Sequence, residues 1–467
     1  MAPHILLKRL LTPSPIIFWA YVLPFLYWSY LVLTTNFVVV FDSESYCDLA
    51  NILYSPSHWT EYFQNGPNRE PLYPLIIALS MHLGSCLNVS YEYILRTVSF
   101  LFLAATMFFI HQSLKKMNVN RWLQAAAILY TGFSPVLINS ALCVFSEIAS
   151  FPFLVAAVYF GLRFMDSLGE KNPAHLYSSW GLALSLLGFT LVKGMGEVLF
   201  PLFVLCLIGF AWDVSAEKLP LFLRRSKIKI LIVFLIFYTP LLGFKSINYF
   251  QNGHFALTSR ADVNIYGNLL RRSHVPLNTT NFLSHLLTIP VSYDLCGTFY
   301  PDSVCSQWSM TTSDETFNTR RNQLNEQHLN DAQKNKIYAH EILNALLTTA
   351  PAQAVYFVQE SLKMFYWETS QGPFVIYPEW LKHVFSTHWL VLFMAFGIGS
   401  ICLITFLISF TMLKNKLILV TISILSLLIF LFSFVHIIQR YATIAAPLMI
   451  LLAFACCDGI IKSRKKA

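Results

Sequence analysis

Long apolar segments with almost no charge constrain this chain more than any other feature. No residue from Leu10 through Phe41 is charged. That stretch is longer than the roughly 20 residues that a helix needs to cross a bilayer, and longer than a signal-peptide core of about 7–15 residues. Lys8 and Arg9 precede it. We therefore expect a retained first helix with its N-terminal end in the cytoplasm.

Further apolar segments recur along the whole chain, and with the first one they predict about ten membrane-spanning helices. Only 12% of the residues are charged and 56% are hydrophobic, whereas soluble domains carry about 25% charged residues. The excess of Lys and Arg lies mostly in the short segments between apolar runs, so we predict no nucleic-acid partner. The predicted spans are Ile16–Val40, Tyr93–Ile110, Trp122–Ile138, Ile148–Phe164, Leu176–Val192, Val198–Trp212, Ile230–Phe244, Trp389–Leu413, Leu417–Val435 and Tyr441–Ile461.

One short apolar segment, Leu72–Leu83, decides the orientation of all the later helices. If it crossed the membrane, Lys115, Lys116 and Arg121 would lie outside. If it does not cross, every basic cluster lies inside, as the positive-inside rule favours. We therefore predict an all-α, multi-pass protein in which this segment does not span. The other inside clusters are Arg163/Lys171, Arg224/Arg225/Lys227/Lys229, Lys414/Lys416 and Lys462/Arg464/Lys465/Lys466.

This layout predicts three regions and two long extracytoplasmic segments. Residues 1–247 form an N-terminal transmembrane module with a first outer loop at 42–92. Residues 248–388 form an outer region with juxtamembrane helices, and residues 389–467 form the C-terminal transmembrane helices. Cys296 and Cys305 share the second outer segment, so a disulfide is possible if that segment faces an oxidising compartment.

A helical pattern near the end of the second outer segment has two interpretations. Val355, Val358, Leu362 and Phe365 recur at helical spacing after Pro351, which suits the first turn of a helix. We expect an amphipathic helix on the outer membrane surface. The alternative is a helix packed inside a soluble subdomain.

Three carboxylates follow the first predicted span. In the sequence Asp42-Ser-Glu44-Ser-Tyr46-Cys-Asp48, a helix would place Asp42 and Tyr46 on one face. Carboxylates that repel one another at a membrane surface tend to have raised pKa values, as a general base needs. Asp42 is therefore the candidate base, unless these residues are only the polar edge of a helix that leaves the bilayer.

Charged residues also lie beside other predicted spans on the same outer side. Arg69 precedes a helix that starts at Pro71, and a guanidinium can bind phosphate in two-pronged fashion. The alternative for Arg69 is contact with lipid headgroups. Glu147, Lys193, Glu197, His436 and Arg440 lie at span ends, where ionisable residues point to function by default. Each alone is more often structural, but all of them fall on one side.

These residues belong to an ordered set of short motifs. The set runs from about residue 37 to 455 and is similar to that of the polyprenyl-phosphate-sugar-dependent glycosyltransferases of the GT-C fold, the superfamily of protein O-mannosyltransferases and lipid A aminoarabinose transferases. The matching positions are Asp42, Tyr46, Asp48 and Ala50, then Arg69 to Pro74, Ser146 and Glu147, Gly188 to Gly196 with Lys193, Asn248, Gly253, Gly267 and Asn268, and finally Arg440, Tyr441 and Pro447.

The resemblance implies transfer of a sugar from a polyprenyl-phosphate donor to an extracytoplasmic lipid, glycan or protein. Asp42 would take the acceptor proton, and direct attack by the acceptor implies inversion. Tyr46, Asp48 and Glu147 would position sugar or acceptor. Arg69, Lys193 and Arg440 would bind the donor phosphate.

The sequence also leads to expectations about cofactors, cellular location and alternative functions. No nucleotide-binding glycine motif and no metal-ligand spacing occur in the sequence, so no cofactor is expected, although the many carboxylates leave room for a divalent metal. The resemblance places the chain in a bacterial inner membrane, with the endoplasmic reticulum as the other location. The alternatives are a polysaccharide polymerase or ligase of the same fold class, a transporter or flippase, and a purely structural membrane protein.

Overall fold

A computed structural model describes most of the chain, and the parts it describes are almost entirely helical. Among these residues the one recorded β-type pairing is an isolated bridge between Val38 and Cys143. His436, Lys171, Lys465 and Lys466 lie outside the described residues, as do Lys8 and Arg9. The described residues are 14–40, 42–55, 59–64, 69–168, 176–215, 218–253, 255–258, 261–290, 295–329, 331–369, 374–434, 437 and 439–464.

The first half of the chain forms helices α1 to α11. Side-chain caps fix several starts. Ser90 accepts a hydrogen bond from Glu92 N at the start of α5, and Asn120 accepts one from Trp122 N at the start of α6. The helices are α1 Pro15–Thr34, α2 Asp42–Tyr54, α3 Trp59–Gln64, α4 Leu72–Leu87, α5 Tyr91–Lys116, α6 Arg121–Phe133, α7 Pro135–Leu142, α8 Glu147–Ser167, α9 Leu176–Val192, α10 Gly196–Ser215 and α11 Leu219–Asn252.

The second half begins after Gly253, whose positive φ of 72° ends α11 in a left-handed turn. That helix therefore continues past the boundary we predicted after residue 247. The remaining helices are α12 Ala261–Ser273, α13 Thr279–Leu286, α14 Cys296–Phe299, α15 Asp302–Cys305, α16 Met310–Glu326, α17 Asp331–Thr348, α18 Ala350–Lys363, α19 Glu379–Phe385, α20 His388–Met412, α21 Lys416–Phe432 and α22 Arg440–Arg464.

Seven of the described helices are long and apolar enough to cross a membrane, so the chain is an all-α, multi-pass membrane protein. They are α1, α5, α8, α10, α11, α20 and α22. Helices α6 and α7 together make an eighth candidate, bent by 46° at Pro135, because proline cannot continue the hydrogen-bond ladder of α6. The other two predicted spans, α9 and α21, are 17-residue apolar helices.

Charged contacts join helix ends at one end of the bundle. Asp166 at the end of α8 binds Lys116 at the end of α5, with an Nζ–O distance of 2.6 Å, and Lys416 at the start of α21, at 2.8 Å. Asp458 near the end of α22 accepts a hydrogen bond from the backbone N of Asn120, at 2.9 Å. This end, which we call the basic end, also carries Arg224 and Lys227 at the start of α11.

Helix α4 starts and finishes at the opposite end of the bundle, as predicted for a segment that does not cross. Arg69, just before α4, pairs with Asp42 at the start of α2. Arg96, in the first turns of α5 after α4, donates to the carbonyls of Val32 and Thr35 at the end of α1, at 3.0 and 3.2 Å. Both flanks of α4 therefore lie beside the end of α1 that leads into α2.

Helices α12 to α18 form a unit at that same opposite end. Cys296 and Cys305 are joined by a disulfide within it, which was an open possibility from the sequence. The side chain of Asn268 in α12 donates to the carbonyl of Phe434, at 3.2 Å. Arg272 donates twice to the carbonyl of Ser433, at 3.1 Å each. The unit thus satisfies backbone acceptors just beyond the C-terminus of α21.

The amphipathic helix predicted around Val355 to Phe365 is α18, and it buries its polar side. Gln359, Glu360 and Lys363 are buried, whereas Val358 is 58% exposed. On the neighbouring α17, Leu347 is 71% exposed. Of the predicted stripe, only Val358 is exposed, because Phe365 is buried and Val355 packs against the small core of Val275, Trp308 and Tyr356. The lipid contact of this helix therefore stays a prediction.

Candidate active site

Asp42 is held between two guanidinium groups at the end of the bundle opposite the basic end. Arg69 Nη2 donates to Oδ1 of Asp42, and Arg440 Nη2 donates to Oδ2. Arg69 precedes α4 and Arg440 begins the last helix, so three distant parts of the chain meet at one carboxylate. Such charge-assisted hydrogen bonds fix the geometry more firmly than neutral ones.

A short backbone pairing places Asp42 beside the start of α8. After α1 ends, the chain is extended, and Val38 O accepts a hydrogen bond from Val144 N at 3.0 Å. Ser43 Oγ then donates to Val144 O at 2.8 Å. These two contacts fix the first turn of α2 against the segment that leads into Glu147.

Glu147 is the second carboxylate of the site. Its side chain is 2% exposed, and its Oε1 lies 2.9 Å from Lys193 Nζ and 3.5 Å from Arg440 Nε. Lys193 lies in the turn between α9 and α10, directly after the glycine-containing end of α9. Arg440 therefore links the two carboxylates, Asp42 and Glu147.

Tyr46 and Glu70 are the remaining polar residues of the candidate site. Tyr46 Oη lies 2.9 Å from Ser146 Oγ, and the Tyr46 ring lies 5.1 Å from the guanidinium carbon of Arg69. Glu70 Oε1 accepts a hydrogen bond from the backbone N of Gly194 at 2.9 Å. A Cβ at Gly194 would lie 3.2 Å from that oxygen, so glycine permits the close approach.

Several buried donors around the pair of guanidiniums have no hydrogen-bond partner among the described residues. They are Nε of Arg69, Nε of Arg440 and the hydroxyls of Tyr62 and Tyr73. Arg440 also lies over the rings of Phe145 and Tyr441, at 5.0 and 5.3 Å. Unpaired buried donors are uncommon in proteins, and guanidiniums with spare donors suit an oxyanion ligand.

The pKa of Asp42 differs from what the sequence predicted. Burial alone would raise it, but the charges and hydrogen bonds of Arg440 and Arg69 outweigh burial and hold the pKa of Asp42 well below its usual range. The raised pKa that we expected from neighbouring carboxylates is therefore wrong for this structure. For Lys193, burial would lower the pKa, but Glu147, Tyr46 and Glu70 outweigh it and raise the pKa above its usual range.

Not every predicted site residue joins this cluster. Asp48 and Glu44 are exposed on α2, and no hydrogen bond or ion pair recorded for the described residues links either of them to Arg69, Lys193 or Arg440. Glu197 pairs with Lys245 of α11 instead. Glu70 was not predicted as a site residue, although its place beside Arg69 was a usable signal. Phe145 was not predicted either, because an aromatic residue in an apolar segment carries no such signal.

A second charge cluster, also missed from the sequence, lies inside the unit formed by α12 to α18. Oε1 of the buried Glu360 is 3.1 Å from Lys363 Nζ and 3.2 Å from His285 Nε2. Nη2 atoms of Arg271 and Arg272 are each 3.6 Å from the same oxygen. Burial lowers the pKa of His285 to about 4 and that of Lys363 to about 8. This cluster joins α12, α13 and α18.

The described residues contain no group of three or more His, Cys, Asp or Glu side chains that is arranged to hold a metal ion. The chain matches no protein-family model and no curated protein.

Proposed function

We propose that this chain is a membrane glycosyltransferase that moves a sugar from a polyprenyl-phosphate donor to an extracytoplasmic lipid, glycan or protein, with inversion. The observation that carries the proposal is the placement of Asp42 between Arg69 and Arg440. A carboxylate that can accept a proton lies directly beside two cations that can bind a phosphate. The motif resemblance to the GT-C glycosyltransferases points to the same chemistry.

We place the site on the extracytoplasmic side of a ten-span protein. The basic clusters lie at the other end of the bundle, which the positive-inside rule assigns to the cytoplasm. The disulfide between Cys296 and Cys305 lies in the unit formed by α12 to α18, and disulfides persist in oxidising compartments. Ten spans follow if α9, α21 and the bent pair of α6 and α7 all cross. A bacterial inner membrane is the proposed location.

The residues of this site account for the proton and the charge that move in the reaction. An acceptor hydroxyl attacks the anomeric carbon, the bond from that carbon to the phosphate oxygen breaks, and the acceptor proton passes to Asp42. The donor phosphodiester carries one negative charge and the polyprenyl phosphate that leaves carries two. Arg69, Arg440 and Lys193 stabilise the charge that develops on the leaving phosphate.

Asp42 would compete with the donor for the same two arginines. Without donor, Arg69 and Arg440 bind Asp42 and lower its proton affinity. A donor phosphate that takes their hydrogen bonds removes the cause of that low pKa, so Asp42 becomes a stronger base when substrate is bound. The phosphate would take over the Nη2 donors of both arginines that bind Asp42 in the absence of donor.

The experiment compares wild type, Asp42→Asn and Glu44→Gln in detergent with a panel of radiolabelled polyprenyl-phosphate sugars and extracted acceptors. We expect Asp42→Asn to reduce label transfer by at least about 100-fold, the typical contribution of a general base. Glu44→Gln is the matched control, since Glu44 is exposed on the same helix, and it should keep wild-type transfer.

Normal turnover by Asp42→Asn would refute its role as base. Absence of transfer or donor hydrolysis by wild type with every donor would refute the glycosyltransferase proposal. Transfer that needs two lipid-linked glycans would identify the polymerase or ligase alternative, and flux across proteoliposomes without bond cleavage would identify a transporter.

A further inference from the structure

A long groove at the basic end of the bundle lies far from the candidate active site. It has a cavity volume of about 1380 Å³ and runs between α1, the end of α5 and the start of α6. Small-molecule sites usually measure about 300–1,000 Å³, so this groove is large. On α1 its lining runs from Ser14 to Ser29, a length of about 22 Å at 1.5 Å per residue.

The groove changes from polar to apolar along its length. Its mouth, in the loop from α5 to α6, is lined by Lys115, Asn118, Asn120 and Arg121. Farther along the helices from this mouth, the groove is lined by Val22 and the exposed Phe25 of α1 and by the exposed Phe108 of α5, two turns before Lys115. In between, Tyr21 Oη lies 3.1 Å from His111 Nδ1. The lining therefore has the polarity of a lipid, with a headgroup end and an acyl-chain end.

The charge at the mouth is positive. Lys115 and Arg121 are exposed, and neither forms an ion pair with another described residue. No described residue that lines the groove is acidic. The nearby Asp458 pairs with Lys462, at 2.6 Å, and accepts from Asn120 N, so it does not neutralise either cation.

We propose that this groove binds one acidic glycerophospholipid from the leaflet at the basic end. Lys115 and Arg121 would contact the phosphate headgroup, and the apolar walls would hold the acyl chains. One leaflet contributes about 15 Å to the hydrocarbon core, so a groove of about 22 Å accommodates chains and headgroup together. The chain's own residues 1–13 are a poorer occupant, since their charged residues, Lys8 and Arg9, have the same sign as the mouth.

The test is native mass spectrometry of the full-length protein, titrated with phosphatidylglycerol or phosphatidylcholine after delipidation. We expect one phosphatidylglycerol to bind more tightly than phosphatidylcholine. The double variant Lys115→Gln/Arg121→Gln should weaken phosphatidylglycerol binding by about 30-fold, because each basic side chain attracts acidic lipid. The control Arg224→Gln/Lys227→Gln removes two exposed charges at the same end but outside the groove, and it should bind like wild type.

A wall variant tests the acyl-chain half without a change of charge. Val22→Trp would fill part of the groove and should weaken phosphatidylglycerol binding as well. Equal binding of both lipids by wild type, or an unchanged preference in the Lys115/Arg121 variant, would mean ordinary annular lipid only and would overturn the proposal. Binding that appears only after deletion of residues 2–13 would also overturn it, by identifying that segment as the occupant.

Discussion

At the scale of single residues, the contact of Asp42 with two arginines predicts different pH profiles for kcat/KM and kcat. The pH profile of kcat/KM reports groups of the free enzyme, and the profile of kcat reports groups of the enzyme with bound substrate. Because Arg440 and Arg69 keep the pKa of Asp42 low before substrate binds, kcat/KM should not fall between about pH 7 and pH 5. If the donor phosphate displaces Asp42, kcat should fall at a higher pH than kcat/KM. Acid limbs at the same pH would contradict displacement.

The ion pairs of Glu147 predict that this residue stabilises the folded protein. Glu147→Gln leaves Lys193 and Arg440 without one carboxylate in a buried site, and loss of one partner of a buried pair typically costs about 3–5 kcal/mol. The melting temperature in detergent should fall clearly. Adding Lys193→Met should recover part of the loss, because it removes the cation that was left unpaired. Strictly additive losses would show that the two side chains are not coupled.

Five of the charged residues proposed from the sequence lie together in the structure, but the sequence did not indicate how they pair. Asp42, Arg69, Glu147, Lys193 and Arg440 were all proposed as site residues, because ionisable groups beside membrane spans are rare. Their spacing along the chain does not show which groups touch. The low pKa of Asp42 was missed for that reason, since it depends on two arginines 27 and 398 positions away.

At the scale of helices, α18 explains a limit of pattern analysis. Its apolar stripe was visible from the sequence, but a stripe alone does not tell whether it faces a core or lipid. The distinction lies in the polar side, where the buried Glu360 lies beside Lys363 of the same helix and beside basic residues of α12 and α13. The partners on α12 and α13 come from other parts of the chain, so the sequence pattern of α18 could not reveal them.

The segment after α18 carries a pH-dependent contact with the bent pair of α6 and α7. Glu368 accepts hydrogen bonds from Tyr130 and Ser134, at 2.8 and 2.9 Å, and burial raises its pKa to about 7. The folded state therefore keeps a proton that the unfolded state releases from about pH 4.5 upward. Stability should then decrease as pH rises from about 5 to 7.

The measurement is the melting temperature of wild type, Glu368→Gln and Glu379→Gln between pH 5 and pH 8. We expect a decrease with pH in wild type worth about 3 kcal/mol in the free energy of unfolding, from a shift of roughly 2 to 3 pKa units. Glu368→Gln should lose most of this slope. Glu379 is exposed, so its variant should keep the slope. A wild-type melting temperature that does not change over this range would disprove the assignment.

At the scale of the whole molecule, orientation in the membrane is the prediction with the widest consequence. In a background that keeps only Cys296 and Cys305, Asn278→Cys should react with a membrane-impermeant maleimide from outside. Lys227→Cys should react only after permeabilisation. Both positions are exposed, whereas the neighbouring Ser226 is buried and unsuitable for labelling. Labelling of both from one side would overturn the topology.

The architecture was predictable to the level of an all-α, multi-pass membrane protein, because the length and apolar composition of a span are local properties of the sequence. The exact bounds of the helices and the bends within them were less predictable. The single span predicted for Trp122–Ile138 is bent at Pro135, and the end of the first apolar run leaves its helix to pair Val38 with Cys143. The bend follows from the proline itself, whereas the pairing of Val38 depends on a segment about 100 positions away. That pairing also positions Asp42 against the start of α8.

The contact between Asp42 and Arg440 has a consequence for biosynthesis. The cluster of Asp42, Glu70, Glu147, Arg69, Lys193 and Arg440 contains three acids and three cations, and α22 supplies one of the cations, Arg440. A nascent chain that stops before α22 therefore has one unneutralised acid at this end of its bundle. The charges of this cluster therefore balance only after α22 has been synthesised, so its neutralisation follows the synthesis of every other helix that contributes to it.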